Sequence, residues 1–193
     1  MIITVICFGG GGKNMITDFS AWRNRQYQTQ TGVKMILDDD EVLSGPLPEN
    51  LSKNYNYAFR RDDWFLGRKL RFGETAHVRL TRLVQPGTGK WVGKVHERFE
   101  SLVQVRNLKS PRIIHRRRIT ISQFIDRLNW YSDLRAEELN QFSTFELIFY
   151  PKLKFVKNYF WYLGFLDGVP GLAMAFLMSL HSLMVRIKVY EKT

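Results

Sequence analysis

A run of four acidic residues is the part of this sequence best suited to chemistry. Asp38–Glu41 follows the short apolar run Met35–Leu37, and apolar residues resume directly behind it. Packed carboxylates repel one another and raise each other's pKa, so a folded chain needs a counter-cation at such a place. A hard divalent ion such as Mg2+ or Mn2+ would supply that charge and would also hold a phosphate. A solvated acidic turn after a strand explains the same pattern, and the spacing alone leaves both interpretations open.

Several further segments, taken in order, resemble one enzyme family. Leu37-Asp-Asp-Asp-Glu41 resembles the Leu-Asp-x-Asp-Glu form of the Asp-x-Asp motif in family 2 glycosyltransferases of the GT-A type. The other matching segments are Arg23-Asn24, Tyr57-Ala-Phe-Arg-Arg-Asp-Asp-Trp-Phe-Leu-Gly67, Val78-Arg-Leu80, Gly93-Lys-Val-His-Glu97, Ile113-Ile-His115, Tyr131-Ser132 and Gly164-Phe-Leu-Asp-Gly168. From about Phe19 onward the set is similar to the bacterial cell-envelope subgroup that builds lipopolysaccharide core or other lipid-linked surface glycans.

The resemblance implies a fold and a reaction. The fold would be α/β, with a partial GT-A (Rossmann-like) sheet, flanking helices and an amphipathic to apolar helical segment at the C-terminus. The reaction would be a metal-dependent, inverting transfer of a hexosyl-type sugar. The donor would be a nucleotide-sugar, and the acceptor a lipid-linked or surface glycan.

The resemblance also implies a donor and metal site. Asp38 and Asp40 would hold Mg2+ or Mn2+, and His115, at the end of a short predicted strand, would be a further metal ligand. Arg23 and Asn24, together with Asp38, would lie beside the donor. The alternative for Arg23 is an ordinary surface residue, and the alternative for His115 is an ordinary hydrogen-bonded histidine.

Glu97 is the candidate general base. The residues of 91–95 predict a strand that ends in His96-Glu97, and a strand end can hold a base rigidly at a cleft. The alternative is an ion-pair partner for nearby Arg and Lys side chains, and the resemblance favours the base. Three other carboxylates are rivals for this role: Glu74 first, then Asp62 and Asp63.

The resemblance also makes Arg116 and Arg117 candidates for binding phosphate or acceptor, a role that guanidinium groups suit. They belong to a strongly basic chain of 193 residues, with 29 Lys+Arg against 18 Asp+Glu and a net charge of +11. This balance favours anionic partners, among them nucleotide phosphates and an anionic membrane surface. A basic lipid-facing patch explains the two arginines equally well. We expect no nucleic-acid partner, because no recognised nucleic-acid-binding module is present.

Secondary structure follows from the periodicity. We predict strands at 2–8, 35–37, 55–60, 78–84, 91–95 and 111–115, and a glycine loop at 9–12. A helix is predicted from Asp18 or Ser20 to about Thr31. The Thr120-Ile-Ser-Gln123 capping box and the helical spacing of apolar residues predict a second helix over 121–142. The single cysteine, Cys7, excludes an internal disulfide framework and fits a reducing compartment.

Two domains are expected. Residues 1–120 would form the GT-A core without the family's first β-α-β portion, since nothing before Arg23 matches the nucleoside-binding turns. Residues 121–193 would form a helical extension that associates with the membrane. A catalytically inactive fragment that docks on membranes or on a partner subunit is therefore the alternative function.

The C-terminal segment suggests where the protein works. From Pro151, lysines lead into the aromatic run 159–162, a Gly/Pro break and an apolar run that ends near Val185. A helix over 170–185 would reach about 24 Å, short of the roughly 30 Å hydrocarbon core. We therefore expect an interfacial hairpin that holds a cytoplasmic protein peripherally on the inner face of the cell membrane. A buried, soluble helix pair is the alternative.

Overall fold

A computed structural model of the chain describes residues 3–8, 19–28, 32–93, 97–116, 119–139 and 141–193. The strands are β1 (Ile3–Phe8), β2 (Val33–Asp38), β3 (Glu41–Leu43), β4 (Asn56–Phe65), β5 (Arg68–Lys69), β6 (Arg79–Val84), β7 (Gly89–Val92), β8 (Arg98–Ser101) and β9 (Val105–Arg116). The helices are α1 (Phe19–Gln28), α2 (Ile121–Glu138), α3 (Thr144–Val156) and α4 (Val169–Tyr190). The predicted glycine loop at 9–12 lies outside the described residues.

The chain divides into two compact units. The first unit comprises Met1–Asp62 and Val78–Arg116, and the second comprises Asp63–His77 and Arg117–Thr193. The described elements include a sheet, helices and an apolar C-terminal helix, which confirms the predicted mixed α/β class.

The sheet has the strand order β1-β2-β6-β4-β9-β3, and β5 pairs with the end of β4. β1 and β2 are parallel, whereas the pairs β2–β6, β4–β6 and β3–β9 are antiparallel. β7 and β8 form a separate antiparallel hairpin. The acidic run begins with Asp38 at the carboxyl end of β2, continues through the turn at Asp39 and Asp40, and ends with Glu41, the first residue of β3. β3 then pairs antiparallel with β9.

The first unit buries both faces of β2. Met35 and Leu37 pack with Tyr57, Phe59, Leu83 and Ile113 on one side. Ile36 joins a second cluster on the other side, with Tyr27, Val84, Trp91 and Phe99. Because successive side chains of a strand point to opposite faces, a strand covered on both sides reads as an uninterrupted apolar run. This burial fixes the position of Asp38 at the strand end.

The second unit is built around helices. The predicted capping box is confirmed, since the Thr120 side chain accepts from the Gln123 N–H and the Gln123 side chain accepts from the Thr120 N–H. α2 ends at Glu138 rather than at 142, because the backbone of Leu139 is extended. Phe65, Leu70, Phe124, Leu128 and Met174 form the apolar core of this unit.

The predicted length of the last helix is wrong. α4 has 22 residues, about 33 Å at 1.5 Å per residue, which is long enough to cross a hydrocarbon core. The helix continues beyond Val185 because its later charges find partners. Arg186 Nη2 lies 3.2 Å from Glu146 Oε2, and Lys188 Nζ lies 2.6 Å from Asp133 Oδ1.

Candidate functional site

The first unit brings together a predicted metal ligand and the predicted base. Arg23, on α1, is only 3% exposed. Its Nη2 lies 2.8 Å from Asp38 Oδ1 and 2.6 Å from Glu97 Oε1, and its Nε donates to the same Glu97 oxygen at 2.9 Å. One buried guanidinium therefore joins two carboxylates that lie far apart in the sequence.

A second buried arginine extends this network. Arg82 Nη2 donates to Asp38 Oδ2 at 2.8 Å and to both carboxylate oxygens of Glu41, at 3.2 and 3.0 Å. Glu41, whose side chain is fully buried, also accepts from the Asp38 backbone N–H at 3.1 Å. Arg61 approaches Glu41 Oε1 at 3.7 Å. Glu41 thus binds the backbone N–H of Asp38 and also Arg82, the arginine that donates to the Asp38 side chain.

The charges of this network shift the pKa of two groups. Burial would raise the pKa of Asp38, but the charges of Arg82 and Arg23 and their hydrogen bonds outweigh it, so the pKa of Asp38 is lowered. Burial would lower the pKa of Arg82, but the carboxylates of Asp38, Glu41 and Glu97 outweigh that effect and raise it. Asp38 therefore remains a carboxylate and Arg82 a cation at neutral pH.

Asp40 occupies a neighbouring position in the turn directly before β3. His115 Nε2 lies 3.1 Å from Asp40 Oδ2, because β3 pairs Glu41 opposite His115 on β9. The Arg116 backbone N–H donates to the Asp40 carbonyl at 3.1 Å, and the Arg116 side chain is exposed. Arg117 lies outside the described residues. The fold therefore brings His115 to Asp40, a contact that fits both the metal interpretation and that of an ordinary hydrogen-bonded histidine.

The described residues contain no group of three or more His, Cys, Asp and Glu side chains that could hold a metal ion by themselves. Much of the counter-charge that the acidic run needs comes instead from the guanidinium groups of Arg23, Arg82 and Arg61. Mg2+ commonly takes only one or two carboxylates and completes its coordination with water and substrate phosphates. Asp38 and Asp40 match that smaller set in number only, since Asp38 already accepts from Arg23 on Oδ1 and from Arg82 on Oδ2.

The surroundings of Glu97 and Asn24 differ from the expectation. Glu97 does not end a strand: β7 stops at Val92, since Gly93 has a positive φ of 96°, and Glu97 immediately precedes β8. Lys94–His96 lies outside the described residues. The Asn24 amide donates to the Trp91 carbonyl and accepts from the Trp91 N–H, both at 2.8 Å. Asn24 thereby fixes α1, and with it Arg23, against β7.

The rival carboxylates lie elsewhere. Glu74, in the second unit, pairs with Lys154 at 2.5 Å, and Asp62 lies 3.3 Å from Arg112 Nη1. Asp63 is buried. The described ion pairs of Arg23 and Arg82 are instead with Asp38, Glu41 and Glu97.

Sequence reasoning missed Arg82 and the role of Glu41. Glu41 stood inside the acidic run without a separate assignment, and Arg82 was one of two arginines in the alternating strand 78–84. The available signal was the position of Arg82, one residue before the apolar pair Leu83-Val84. An arginine at the edge of a buried stretch needs a carboxylate partner, because burying an unpaired charge is costly.

Comparison with known proteins supports a relationship to a glycosyltransferase. No protein-family model matches the chain. The chain is similar to a curated protein of Rhizobium meliloti (strain 1021), the lipopolysaccharide core biosynthesis glycosyltransferase LpsC. The two are 26% identical over 188 residues, which covers 83% of this chain and 70% of that protein. This similarity, over most of the chain, supports a place among glycosyltransferases.

Proposed function

We propose that the protein is a family 2 glycosyltransferase of the GT-A type that moves a hexosyl group from a nucleotide-sugar to a lipid-linked or surface glycan. One observation carries the proposal: Arg23 joins Asp38 of the acidic run to Glu97 of a separate segment. The similarity to a lipopolysaccharide core glycosyltransferase supports it independently. The partial GT-A sheet over residues 1–120 and the helical extension over 121–193 belong to the same proposal.

In this proposal, Asp38 and Asp40, with His115 beside Asp40, would hold Mg2+ or Mn2+. The bound ion would supply positive charge to neutralise the charge that develops on the leaving nucleotide. Arg23 lies on the donor side of the site, and Asn24 acts by fixing its helix. Arg116 and Arg117 are assigned to phosphate or acceptor oxygens, for which guanidinium groups are suited.

Glu97 is proposed as the general base. Both hydrogen bonds from Arg23 end on Oε1, so the proton of the acceptor hydroxyl would go to Oε2. The hydroxyl oxygen would bond to the anomeric carbon as the bond from that carbon to the nucleotide diphosphate breaks. Attack from the face opposite the leaving group inverts the anomeric configuration.

The test is sugar transfer by the full chain, with a panel of nucleotide-sugars and a lipid-linked glycan extract as acceptor. Glu97→Gln keeps the shape and removes the base, so the rate should fall about 10²–10⁴-fold. Glu100→Gln, an exposed carboxylate on the same hairpin, is the matched control and should keep the wild-type rate. A Glu97→Gln rate within a few-fold of wild type would mean that another carboxylate is the base.

The metal assignment has its own test. Asp40→Asn should abolish the part of the transfer rate that depends on added Mg2+ or Mn2+, whereas Asp126→Asn, on the exposed side of α2, should not. An Asp40→Asn variant with an unchanged metal response would contradict the assignment. No transfer by wild type with any donor, combined with firm vesicle binding, would favour the alternative of a catalytically inactive docking fragment or partner subunit.

We also propose that the protein works peripherally on the cytoplasmic face of the cell membrane, next to its lipid-linked acceptor. The net charge of +11 suits an anionic leaflet. Large apolar side chains are exposed on the second unit, including Trp161 at 80% and Val169 at 73%. Soluble monomers rarely expose many such residues together.

A further inference from the structure

The length and composition of α4 fit two arrangements relative to a membrane. α4 is the one helix among the described residues that is long and apolar enough to cross a bilayer, with a mean hydropathy of 1.5 in its most apolar window. Only 28% of that window is buried within the chain. Length and composition therefore allow either a transmembrane span or a helix that lies along the membrane surface.

The fold gives α4 two different sides. Its most exposed apolar residues recur at intervals of seven, four, seven and three, and lie on one side of the helix: Val169, Phe176, Leu180, Ile187 and Tyr190. We call this set the α4 stripe. The buried residues Met174, Ser182, Val185 and Val189 lie about half a turn away. Because both sides are largely apolar, the sequence does not show this division.

The buried side of α4 is already occupied by α2. Near its start, Met174 packs with Phe124 and Leu128. Near its end, Lys188 Nζ donates to the carbonyl and to Oδ1 of Asn129, at 2.8 and 2.7 Å. α2 therefore accompanies α4 over much of the length that a membrane span would need.

α2 does not belong in hydrocarbon. Its exposed positions include the charged residues Asp126, Arg127, Asp133 and Arg135. Ionised side chains are the costliest ones to place at the centre of a bilayer. If α4 crossed the membrane in this packing, it would carry those charges into the hydrocarbon with it.

α3 adds a second apolar face beside the α4 stripe. It packs on α4 through the rings of Phe155 and Phe176, whose centroids lie 4.6 Å apart. Ser179 Oγ of α4 also donates to the Pro151 carbonyl of α3 at 2.7 Å. The outward residues Phe145, Phe149, Leu153 and Val156 are all exposed at helical spacing. The exposed Lys152 and Lys157 accompany them, and lysine side chains can extend their charges from an apolar surface to lipid headgroups.

We propose that the second unit lies in one leaflet of an anionic bilayer, with α4 parallel to the membrane surface and the α4 stripe towards the acyl chains. The proposal rests on the membrane location proposed above but not on the sugar-transfer chemistry. We assign lipid as the partner of the α4 stripe and the exposed face of α3 because these surfaces combine aliphatic side chains with aromatic ones suited to the headgroup level. Their lysines suit anionic headgroups.

Binding is tested first, with the full chain and vesicles of phosphatidylglycerol and phosphatidylcholine, without donor or acceptor. Wild type should sediment with the vesicles, and the double variant Phe176→Ser/Leu180→Ser should lose at least ten-fold in affinity. Leu102→Ser is the matched control, since Leu102 is 81% exposed on the first unit and should not affect binding. Circular dichroism checks that each variant is folded.

Orientation is tested second. After Cys7→Ser removes the native thiol, single cysteines replace Val169, Leu180 or Tyr190 and carry an environment-sensitive fluorophore, whose depth is read by quenching from brominated lipids. The proposal predicts similar, shallow depths at all three positions. A deep centre with one end protected from an impermeant quencher would show a span and overturn it.

Failure of wild type to bind vesicles would also overturn the proposal. If analytical ultracentrifugation then showed a dimer that Phe176→Ser/Leu180→Ser dissociates, a second copy would be the occupant instead. Either failure would leave the glycosyltransferase proposal to its own test, because these measurements use no sugar donor. Similar, shallow depths at all three positions, together with weakened binding of the double variant, would support both lipid as the partner and the orientation of α4 parallel to the membrane.

Discussion

The two units depart from the usual distribution of residues in opposite directions. The first unit buries charge, with Arg23, Glu41 and Arg82 each no more than 4% exposed. Of the exposed large apolar side chains that the structure describes, all but Val42 and Leu102 lie in the second unit. Either departure costs stability in an isolated soluble domain, and such violations concentrate at functional sites. The comparison suggests that the first unit carries the chemistry and the second carries the attachment.

The largest expected effect comes from breaking the buried network of the first unit. Arg82→Met removes the cation shared by Asp38 and Glu41, and leaves the fully buried Glu41 carboxylate with Arg61 at 3.7 Å. Removal of one partner from a buried ion pair typically costs about 3–5 kcal/mol. Urea unfolding of the full chain should show a loss of that size.

The matched control is an exposed pair in the same unit. Arg98 Nη2 lies 3.0 Å from Glu100 Oε1, but the two side chains are 75% and 47% exposed. Arg98→Met should therefore change the free energy of unfolding by only about 0–1 kcal/mol. Equal losses for the two variants would show that burial adds nothing to the network.

A smaller effect should appear in the pH dependence of stability. The pKa of Asp38 is lowered in the folded protein. Its contribution to stability is therefore fully present above the unfolded value of about 3.9, and is lost as the pH falls through the folded value. In Asp38→Asn, the free energy of unfolding should fall less steeply over that acidic range. The difference in slope is at most about 1.4 kcal/mol per pH unit, the value for one proton.

The same measurement has an internal comparison. Above about pH 6, where a carboxylate with a lowered pKa is fully ionised, the slopes of Asp38→Asn and wild type should coincide. An Asp38→Asn slope identical to wild type over the acidic range would contradict the lowered pKa of Asp38. An increase in slope would mean that folding raises the pKa instead.

Local patterns in the sequence were sufficient to predict much of the fold. The apolar run at 35–37 predicted a buried strand, and β2 is covered on both sides. The capping box at Thr120 predicted the start of α2, since its two hydrogen bonds are made between residues three apart. Such features depend on neighbouring residues alone, so sequence spacing carries them.

Contacts between residues far apart in the sequence could not be predicted from local sequence patterns. The bonds from Arg23 to Glu97 join residues 74 apart in the chain, and Arg82 reaches Glu41 across 41 residues. The length of α4 was underestimated because Arg186 and Lys188 were read as an end, whereas they pair with Glu146 and Asp133. The role assigned to Glu97 stays a prediction, and Glu97 lies directly before β8 rather than at the end of β7, which stops at Val92.

The smallest expected effect separates charge from apolar contact in the second unit. Lys152, exposed on α3, should contribute on the order of 1 kcal/mol to binding an anionic leaflet, so Lys152→Ala should weaken vesicle binding about five-fold at about 0.1 M salt. Lys53→Ala, an exposed lysine of the first unit, is the control and should bind as wild type does. At about 1 M salt the difference should vanish, because charges are then screened beyond roughly 3 Å, while wild type remains bound through its apolar face. Complete release of wild type by salt alone would show that charge, rather than the exposed apolar residues of α3 and α4, holds the protein on the membrane.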